Sequence, residues 1–521
     1  MSKISFLSNT VTKPFDRYFE AHECSHFEVN NITQVLSGKV DADYLVLLID
    51  ISYFAFDGFL NDKSNEIFDE LFGLLEFFRK NNSTKVIVSN IAGTYLDINT
   101  SLNIEEHQKL LNLNCKINRF AEISDVAILN VYHLISLHGY QNFINTKNGF
   151  LFQVPWTKLA YTVLSTSINE NLQLFQTTRK KVLILDADNT LWGGIIGENG
   201  INNIDIDENY PGKIFRNFQQ QLKYLQNSGL LLTIVSKNNF HDIRKVFKTK
   251  DMPLKWDDFI VKKINWGPKS QNINELMNEL NIGMDSAIFL DDNSFELAEV
   301  ESAINIETIK ISKNNPIENL KIFDCLISTK TLTITEEDKK KNHQYQTQKK
   351  RQKDKSDFKS IDDYLSSIDM VVGMSINNKG KVKRIAQLIN KTNQFNLTTK
   401  RYSESEVVAL MENHIIFSFN LVDKFGDLGL VAVVILVNNN IDSFLISCRA
   451  LGRNLEYKIL HLIAKNTEGE LISSYVKTEK NTQVNSFYNK FSTVIEPQAS
   501  KTSYHLSRIN MIDINYITEK E

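Results

Sequence analysis

Three apolar runs in the middle of the chain each end in a polar cluster. KKVLILDAD ends at Asp186 and Asp188, GLLLTIVSKNN at Ser236, Lys237 and Asn238, and SAIFLDDNS at Asp291 and Asp292. A buried strand that stops at carboxylates is expensive to place, because an unpaired buried charge is strongly unfavourable unless a cation or hydrogen bonds compensate it. The same strand-and-helix rhythm precedes these runs, with KISFLSN, DYLVLLIDI, KVIVSNI and VAILNVYHLISLHGY. Such alternation predicts α/β architecture with parallel sheets. In open sheets of this kind ligands bind outside the carboxyl ends of the strands, so the three polar clusters are expected to meet.

The acidic strand ends carry a specific chemistry. A divalent cation makes Asp186 and Asp188 tolerable side by side, since Mg2+ takes one or two carboxylates together with phosphate oxygens. With Mg2+ bound, Asp186 can attack phosphorus while Asp188 handles the leaving-group proton. The plainer alternative is an Asp pair that caps the following helix. Ser236 offers a hydroxyl to a phosphate oxygen, and Lys269 in NWGPKSQN a point charge. Asp291 and Asp292 form a second acidic pair suited to completing the metal shell.

Bulk properties exclude several classes. The chain has 521 residues, 42% hydrophobic and 23% charged, an ordinary globular composition with room for three or four domains. A formal net charge of -3 gives no overall case for nucleic acid or an anionic membrane, and leaves only local patches. Cys24, Cys115, Cys325 and Cys448 are far apart and lack metal-ligand spacing, which argues against zinc or a disulfide framework and for a reducing compartment. No apolar run reaches the ~20 residues of a membrane span and the N-terminus lacks an apolar signal region, so a cytoplasmic protein is expected.

In chain order, DxDxT, Ser, Lys and DD at successive strand ends resemble the four motifs of the haloacid-dehalogenase (HAD) superfamily of phosphotransferases. That resemblance implies Asp186 as aspartyl nucleophile and Asp188 as general acid/base. It makes Ser236, Lys237, Asn238 and Lys269 phosphate-binding residues, and Asp186, Asp188, Asp291 and Asp292 the Mg2+ residues. The longer phrases LDADNTLWGGIIGENG, INWGPKSQNINELMNELN, FLDDNSFELAEV, KTNQFNLTTKRY, DKFGDLGLV and SCRALGRNLE, between Lys181 and Glu456, resemble the FkbH-like family.

This family resemblance implies a HAD module followed by an acyltransferase-like domain of the GNAT type, with an SGNH-like module in front. The expected layout is an SGNH-like or flavodoxin-like parallel α/β domain at 1–175 and a HAD-like Rossmannoid α/β domain at 176–335. A charged helical linker at 336–360 and an α+β GNAT-like domain at 361–521 follow. The implied activity takes a glyceryl unit from 1,3-bisphosphoglycerate, removes its phosphate and loads it as a thioester on the phosphopantetheine arm of an acyl carrier protein, in a polyketide pathway. By the same resemblance, Arg449, Gly452, Arg453, Asn481, Tyr488, Asn393 and Asn396 belong to the acyl or pantetheine site.

Some of these assignments also have grounds of their own. Arg449, Gly452 and Arg453 follow the apolar DSFLI and precede the helix LEYKILHLIAKN, and backbone amides at a helix start suit a phosphate. Cys448, beside Arg449, can carry an acyl group if its thiolate fraction is raised, with an inert buried cysteine as the alternative. Asp423, Gly426 and Asp427 of DKFGDLG suit either hydroxyl recognition or turn chemistry. Near the N-terminus Ser8 and Asn9 end a strand, yet no Gly-Asp-Ser motif and no late DxxH are present, so this domain is expected to be hydrolytically silent and to serve carrier docking. The rival functions are a stand-alone HAD phosphatase, an acyltransferase acting on a small amine or amino sugar, and a non-catalytic scaffold.

Overall fold

A computed structural model describes the chain except for residues 30–31, 38–39, 55–59, 61, 93–100, 336–337, 340, 343, 348–359, 393, 479–480, 498–500, 508–511 and 521. Its residues form two compact units, Met1–Asn278 with Ile282–Lys339, and Lys340–Glu521 with Glu279–Asn281.

The first unit holds two parallel sheets. Strands β1 (Ser2–Ser8), β2 (His22–Glu28), β3 (Tyr44–Leu48), β4 (Lys85–Ser89) and β5 (Ala127–Leu129) pair in the order β2-β1-β3-β4-β5. That is a doubly wound order, and it reverses between β1 and β3. Successive side chains of a strand face opposite ways. Leu45 and Leu47 accordingly pack with Leu71, Leu75 and Ile117 from helices Asp62–Asn81 and Ser101–Ser124. Val46 and Leu48 pack with Leu164, Ile168 and Leu172 of helix Lys158–Gln176 on the other face.

The second sheet contains β6 (Val182–Leu185), β7 (Leu231–Ser236), β8 (Phe259–Ile264), β9 (Ala287–Asp291) and β10 (Glu307–Lys310), ordered β10-β9-β6-β7-β8 and parallel throughout. Strands β6 and β7 are buried along their whole length, as a sheet covered on both faces requires. The two sheets share one unit because Leu332, beyond the second sheet, packs into the first sheet's core, and Thr333 Oγ1 lies 3.0 Å from Asp125 Oδ1. A seam at 175/176 is therefore bridged by side chains on both sides of it.

The second unit is built on β11 (Met370–Ile376), β12 (Phe395–Asn396), β13 (Ile415–Asp423), β14 (Gly426–Val437), β15 (Asn440–Ile446), β16 (Leu471–Val476), β17 (Ser492–Pro497), β18 (Lys501–Leu506) and β19 (Ile517–Glu519). The pairs β11·β13, β13·β14 and β14·β15 are antiparallel. Strand β15 then crosses through helix Leu455–Lys465 to the parallel β16, and the two pair only at Asn440 with Ile472 and Ile441 with Ser473. Their far ends separate, and β12 fills the gap. Phe395 and Asn396 pair with Ile446 and Leu445, and Val476 N donates to Leu397 O at 2.8 Å. Within the expected linker, residues 338–339, 341–342 and 344–347 are helical and the rest lie outside the described residues.

Candidate active site at the ends of β6, β7 and β9

The order of the second sheet reverses direction between β6 and β9, which is where an open α/β sheet leaves a crevice. Leu185 stands in register with Leu290, and Asp186 N donates to Leu290 O at 3.0 Å. Asp186 and Asp291 thus leave the sheet side by side. Lys269, at the start of helix Lys269–Leu280, reaches both, with Nζ 2.7 Å from Asp186 Oδ1 and 2.5 Å from Asp291 Oδ2. All three residues are buried.

Asp186, Asp291 and Asp292 each place a carboxylate oxygen within 4.8 Å of the others. Three carboxylates face two ammoniums, the buried Lys269 and the exposed Lys313 at 3.5 Å from Asp292 Oδ2, so the cluster is still short of positive charge. Burial, followed by the charge of Asp186, pushes the Asp291 carboxyl up to about 7, although Lys269 pulls the other way. Burial and Asp186 likewise raise Asp292, against Lys313 and Asn189. Burial opposes the charge on Lys269, yet Asp186 and Asp291 hold its pKa above the ordinary lysine value. An added divalent cation would relieve the excess negative charge, and oxygen donors are the type that Mg2+ takes.

Asp188 does not join this cluster. Its Oδ1 accepts from Trp192 Nε1 at 2.9 Å and from Ile196 N at 3.3 Å, and its Oδ2 accepts from Asn238 Nδ2 at 2.7 Å. The chain turns after β6, so a separation of two residues no longer means a shared side. Burial comes first among the influences that raise the Asp188 carboxyl, with Asp186 adding to it and the Trp192 bond opposing it. A carboxyl raised above its ordinary range is better suited to giving a proton to a leaving oxygen.

The turn itself is fixed by residues that the apolar pattern does not reveal. Asn189, at φ 56, accepts from Gly194 N at 2.9 Å and donates to Asp292 Oδ2 at 3.3 Å. Gly194 has φ 92, a conformation that favours glycine. Glu296, four residues after Asp292, pairs with Lys237 at 2.8 Å and so ties the β7 loop to the β9 loop. Spacing carries no signal for these contacts, because residues 188–194 form a turn and not a helix. Ser236 is buried at the end of β7, and its carbonyl accepts from Asn265 N at 3.2 Å.

The residues expected to bind an acyl or pantetheine group are placed differently from one another. Arg449 donates to Gln344 Oε1 at 2.8 Å and to Leu430 O at 2.9 Å, and Arg453 bonds to Arg449 O. Gly452 has φ 72 in the loop before helix Leu455–Lys465. Asn481 is fully buried, with Nδ2 donating to Asn396 O and Val476 O, both at 2.9 Å, and Oδ1 accepting from Thr478 N at 2.8 Å. Asn396 Oδ1 accepts from Thr399 N at 2.9 Å. Burial raises the phenol of Tyr488, whose ring lies in the core. The Cys448 side chain and Asn393 lie outside the described residues.

Asp423 and Asp427 accept from the amides of Phe425 and Gly429, at 2.9 and 2.6 Å, which is turn chemistry at the β13–β14 hairpin. In the first sheet Ser8 Oγ lies 2.9 Å from Thr10 Oγ1, and Asn9 Oδ1 accepts from Asp50 N at 2.8 Å. Cys24, Cys115 and Cys325 are free thiols, and no helix among the described residues is long and apolar enough to cross a membrane.

No protein-family model and no curated protein matches the chain. Among solved structures, it is similar to the N-terminal part of the protein BF1531 from Bacteroides fragilis, which contains a phosphatase domain and was crystallised with Mg. The two share 24% identity at a TM-score of 0.51, over 64% of this chain and 94% of that one. The likeness is one of fold.

Proposed function

We propose that this chain is a Mg2+-dependent phosphatase working through an aspartyl-phosphate on Asp186. The observation that carries the reading is the buried cluster of Asp186, Asp291 and Asp292 against Lys269 at the sheet's switch point. The bound Mg2+ of the similar Bacteroides fragilis structure supports the choice of metal. Asp186, Asp291 and Asp292 would hold the ion, which when bound shields the carboxylates and polarises the phosphoryl oxygens. Lys269 has three donors, and two go to Asp186 and Asp291, leaving one for a phosphate oxygen.

In the first step an Asp186 oxygen forms a bond to phosphorus while the ester P–O bond breaks, and the Asp188 proton passes to the leaving oxygen. In the second, water attacks the phosphorus of the aspartyl-phosphate and gives its proton to Asp188, releasing phosphate and restoring Asp186. Asn238 and Trp192 hold the Asp188 carboxyl in place for both transfers.

The finer reading is that the phosphate comes from a glyceryl donor such as 1,3-bisphosphoglycerate, with the glyceryl group passed by way of Cys448 to an acyl carrier protein. Its support is the run of FkbH-like phrases and the strand, loop and helix around Arg449, Gly452 and Arg453. A phosphatase without acyl transfer is the second reading. It is favoured by Asn396 and Asn481, whose amide groups are engaged by their own chain in the gap between β15 and β16.

Intact-protein mass spectrometry with Mg2+ and enzymatically generated 1,3-bisphosphoglycerate separates them. A glyceryl adduct that is lost in Cys448→Ala, stays phosphorylated in Asp186→Asn and moves to holo carrier protein is expected from the finer reading. Transfer to a small amine or amino sugar instead of the carrier would change the acceptor. Asp186-dependent phosphate release with no adduct leaves the phosphatase alone, and no Asp186-dependent release from any phosphoester would sink both.

A further inference from the structure

The rim of the β6–β9 crevice carries apolar side chains that phosphoryl transfer itself does not use. In a parallel sheet the helix after each strand begins at the strands' carboxyl end, the side on which ligands bind. Phe240 opens helix Phe240–Thr249 after β7, Trp266 stands shortly before helix Lys269–Leu280 after β8, and Phe295 lies in the first turn of helix Ser294–Ala303 after β9. Trp266 and Phe295 are each 72% exposed, and Phe240 40%. Single apolar residues on a surface are ordinary, but these three share one end of one sheet and follow or precede Asn238, Lys269 and Asp292 closely in sequence.

Hydrogen bonds bring the three loops together. Asn238 donates to Asp188, and Lys237 pairs with Glu296, the neighbour of Phe295. The helices after β8 and β9 adjoin at Ser270 and Glu299, where Ser270 N donates to Glu299 Oε2 at 3.2 Å and Ser270 Oγ to Glu299 Oε1. Phe295 is one turn before Glu299 and Trp266 precedes Ser270, so both lie on the strand-end side of that junction. The turn that presents Trp266 is fixed on each side. Asn265 N donates to Ser236 O at 3.2 Å, the side-chain amides of Asn265 and Asn272 exchange two bonds of 2.9 Å, and Gly267 N donates to Asn265 Oδ1 at 2.9 Å. Phe295 N donates to Asn293 Oδ1 at 3.0 Å, and Asn293 N donates to Asp291 Oδ1 at 2.8 Å, within the acidic cluster.

The acidic cluster and Lys269 are buried, so a phosphate bound there occupies the inner end of the crevice and the rest of the substrate extends past the rim. A small polar leaving group would leave the exposed indole and phenyl rings in water, whereas an apolar one would cover them. We propose that Trp266 and Phe295, with Phe240 beside them, receive an apolar leaving group and so select phosphomonoesters that carry an alkyl chain or a flat ring over small polar ones. A glyceryl phosphate would meet these rings only through the group that carries it. The proposal rests on the phosphatase reading and specifies its substrate class.

The full chain with Mg2+ and ethyl, butyl and hexyl phosphate tests it, because the leaving oxygens are chemically alike and only the apolar surface grows. kcat/KM is expected to rise about twofold to fourfold per methylene, chiefly through KM. The hexyl to ethyl ratio should be at least about tenfold in the wild type and fall below about threefold in Trp266→Ala with Phe295→Ala. Reading a ratio cancels any general loss of activity. Calorimetric Kd values for ethylphosphonate and hexylphosphonate, which are not hydrolysed, should show the same dependence on the two rings. Because both side chains are exposed, thermal melting should be unchanged and serves as the check on folding. A wild-type ratio near one, or a double variant that keeps the ratio, overturns the proposal and leaves the phosphatase reading in place. Asp186-dependent release from glycerol phosphate with none from the alkyl esters overturns it as well. No Asp186-dependent release from any phosphoester removes the reading on which it rests, and the proposal with it.

Discussion

Removing Lys269 and removing Asp291 delete opposite charges from one buried cluster, and the net charge decides which costs more. Lys269→Met leaves Asp186 and Asp291 facing each other without the ammonium they share, with only Lys313, at Asp292, remaining in the cluster. Its expected cost in the metal-free protein is about 3 to 5 kcal/mol, as for other broken buried pairs. Asp291→Asn removes one of the excess negative charges and keeps the Lys269–Asp186 pair, so its cost should be clearly smaller. Urea unfolding of both variants without metal measures the difference, and the reverse order would mean that the cluster is not short of positive charge. The same imbalance sets a pH dependence. Asp291 titrates at about 7 in the folded chain, above the usual unfolded value of about 3.9. Its contribution to metal-free stability is then full below about pH 4 and is lost as the pH rises through about 7. Mg2+ favours the ionised form, so the rise in Tm on adding Mg2+ should grow across that window. A Tm gain that does not change with pH would refute the assignment of Asp291 to the metal.

Among the elements, the gap between β15 and β16 depends on β12 and on Asn481, which holds three backbone groups and is fully buried. Asn481→Ala strands those groups, and a loss of at least about 2 kcal/mol from the second unit is expected in chemical unfolding. A loss below ~0.5 kcal/mol would show that the gap does not need this plug. This element was not legible beforehand, because a two-residue strand such as Phe395–Asn396 is set by what it fills rather than by any period of its own. Strands β1, β3, β4, β6, β7 and β9 were legible, since their buried apolar runs have few other places to go. Strand β2, HECSHFE, is polar and only partly buried, and β8, FIVKKI, carries two lysines at the sheet's edge, so neither announces itself. At the site, Asp186, Lys269, Asp291 and Asp292 could be named from strand ends and motif order. The outward turn of Asp188 and the parts of Trp192, Asn189 and Glu296 depend on how the loops fold back, which spacing alone does not give.

For the whole molecule, the division into two units makes the metal a reporter of which unit melts. Asp186, Asp291, Asp292 and Lys269 all belong to the first unit, together with both parallel sheets. A ligand that binds only the folded form stabilises what it binds by about 2.7 kcal/mol at a hundred times its Kd, and leaves an independent unit untouched. Calorimetry of the full chain should therefore show two transitions, of which Mg2+ raises one and Asp186→Asn with Asp291→Asn removes that response. The second transition should move with Asn481→Ala and not with Mg2+. If the two sheets of the first unit were separate cooperative blocks, three transitions would appear, but Leu332 in the first sheet's core and the Thr333–Asp125 bond join them. One transition that shifts as a whole with Mg2+ would mean instead that the two units unfold together. The loss in Asn481→Ala would then appear at that same temperature, and the C-terminal sheet would be energetically part of the first unit.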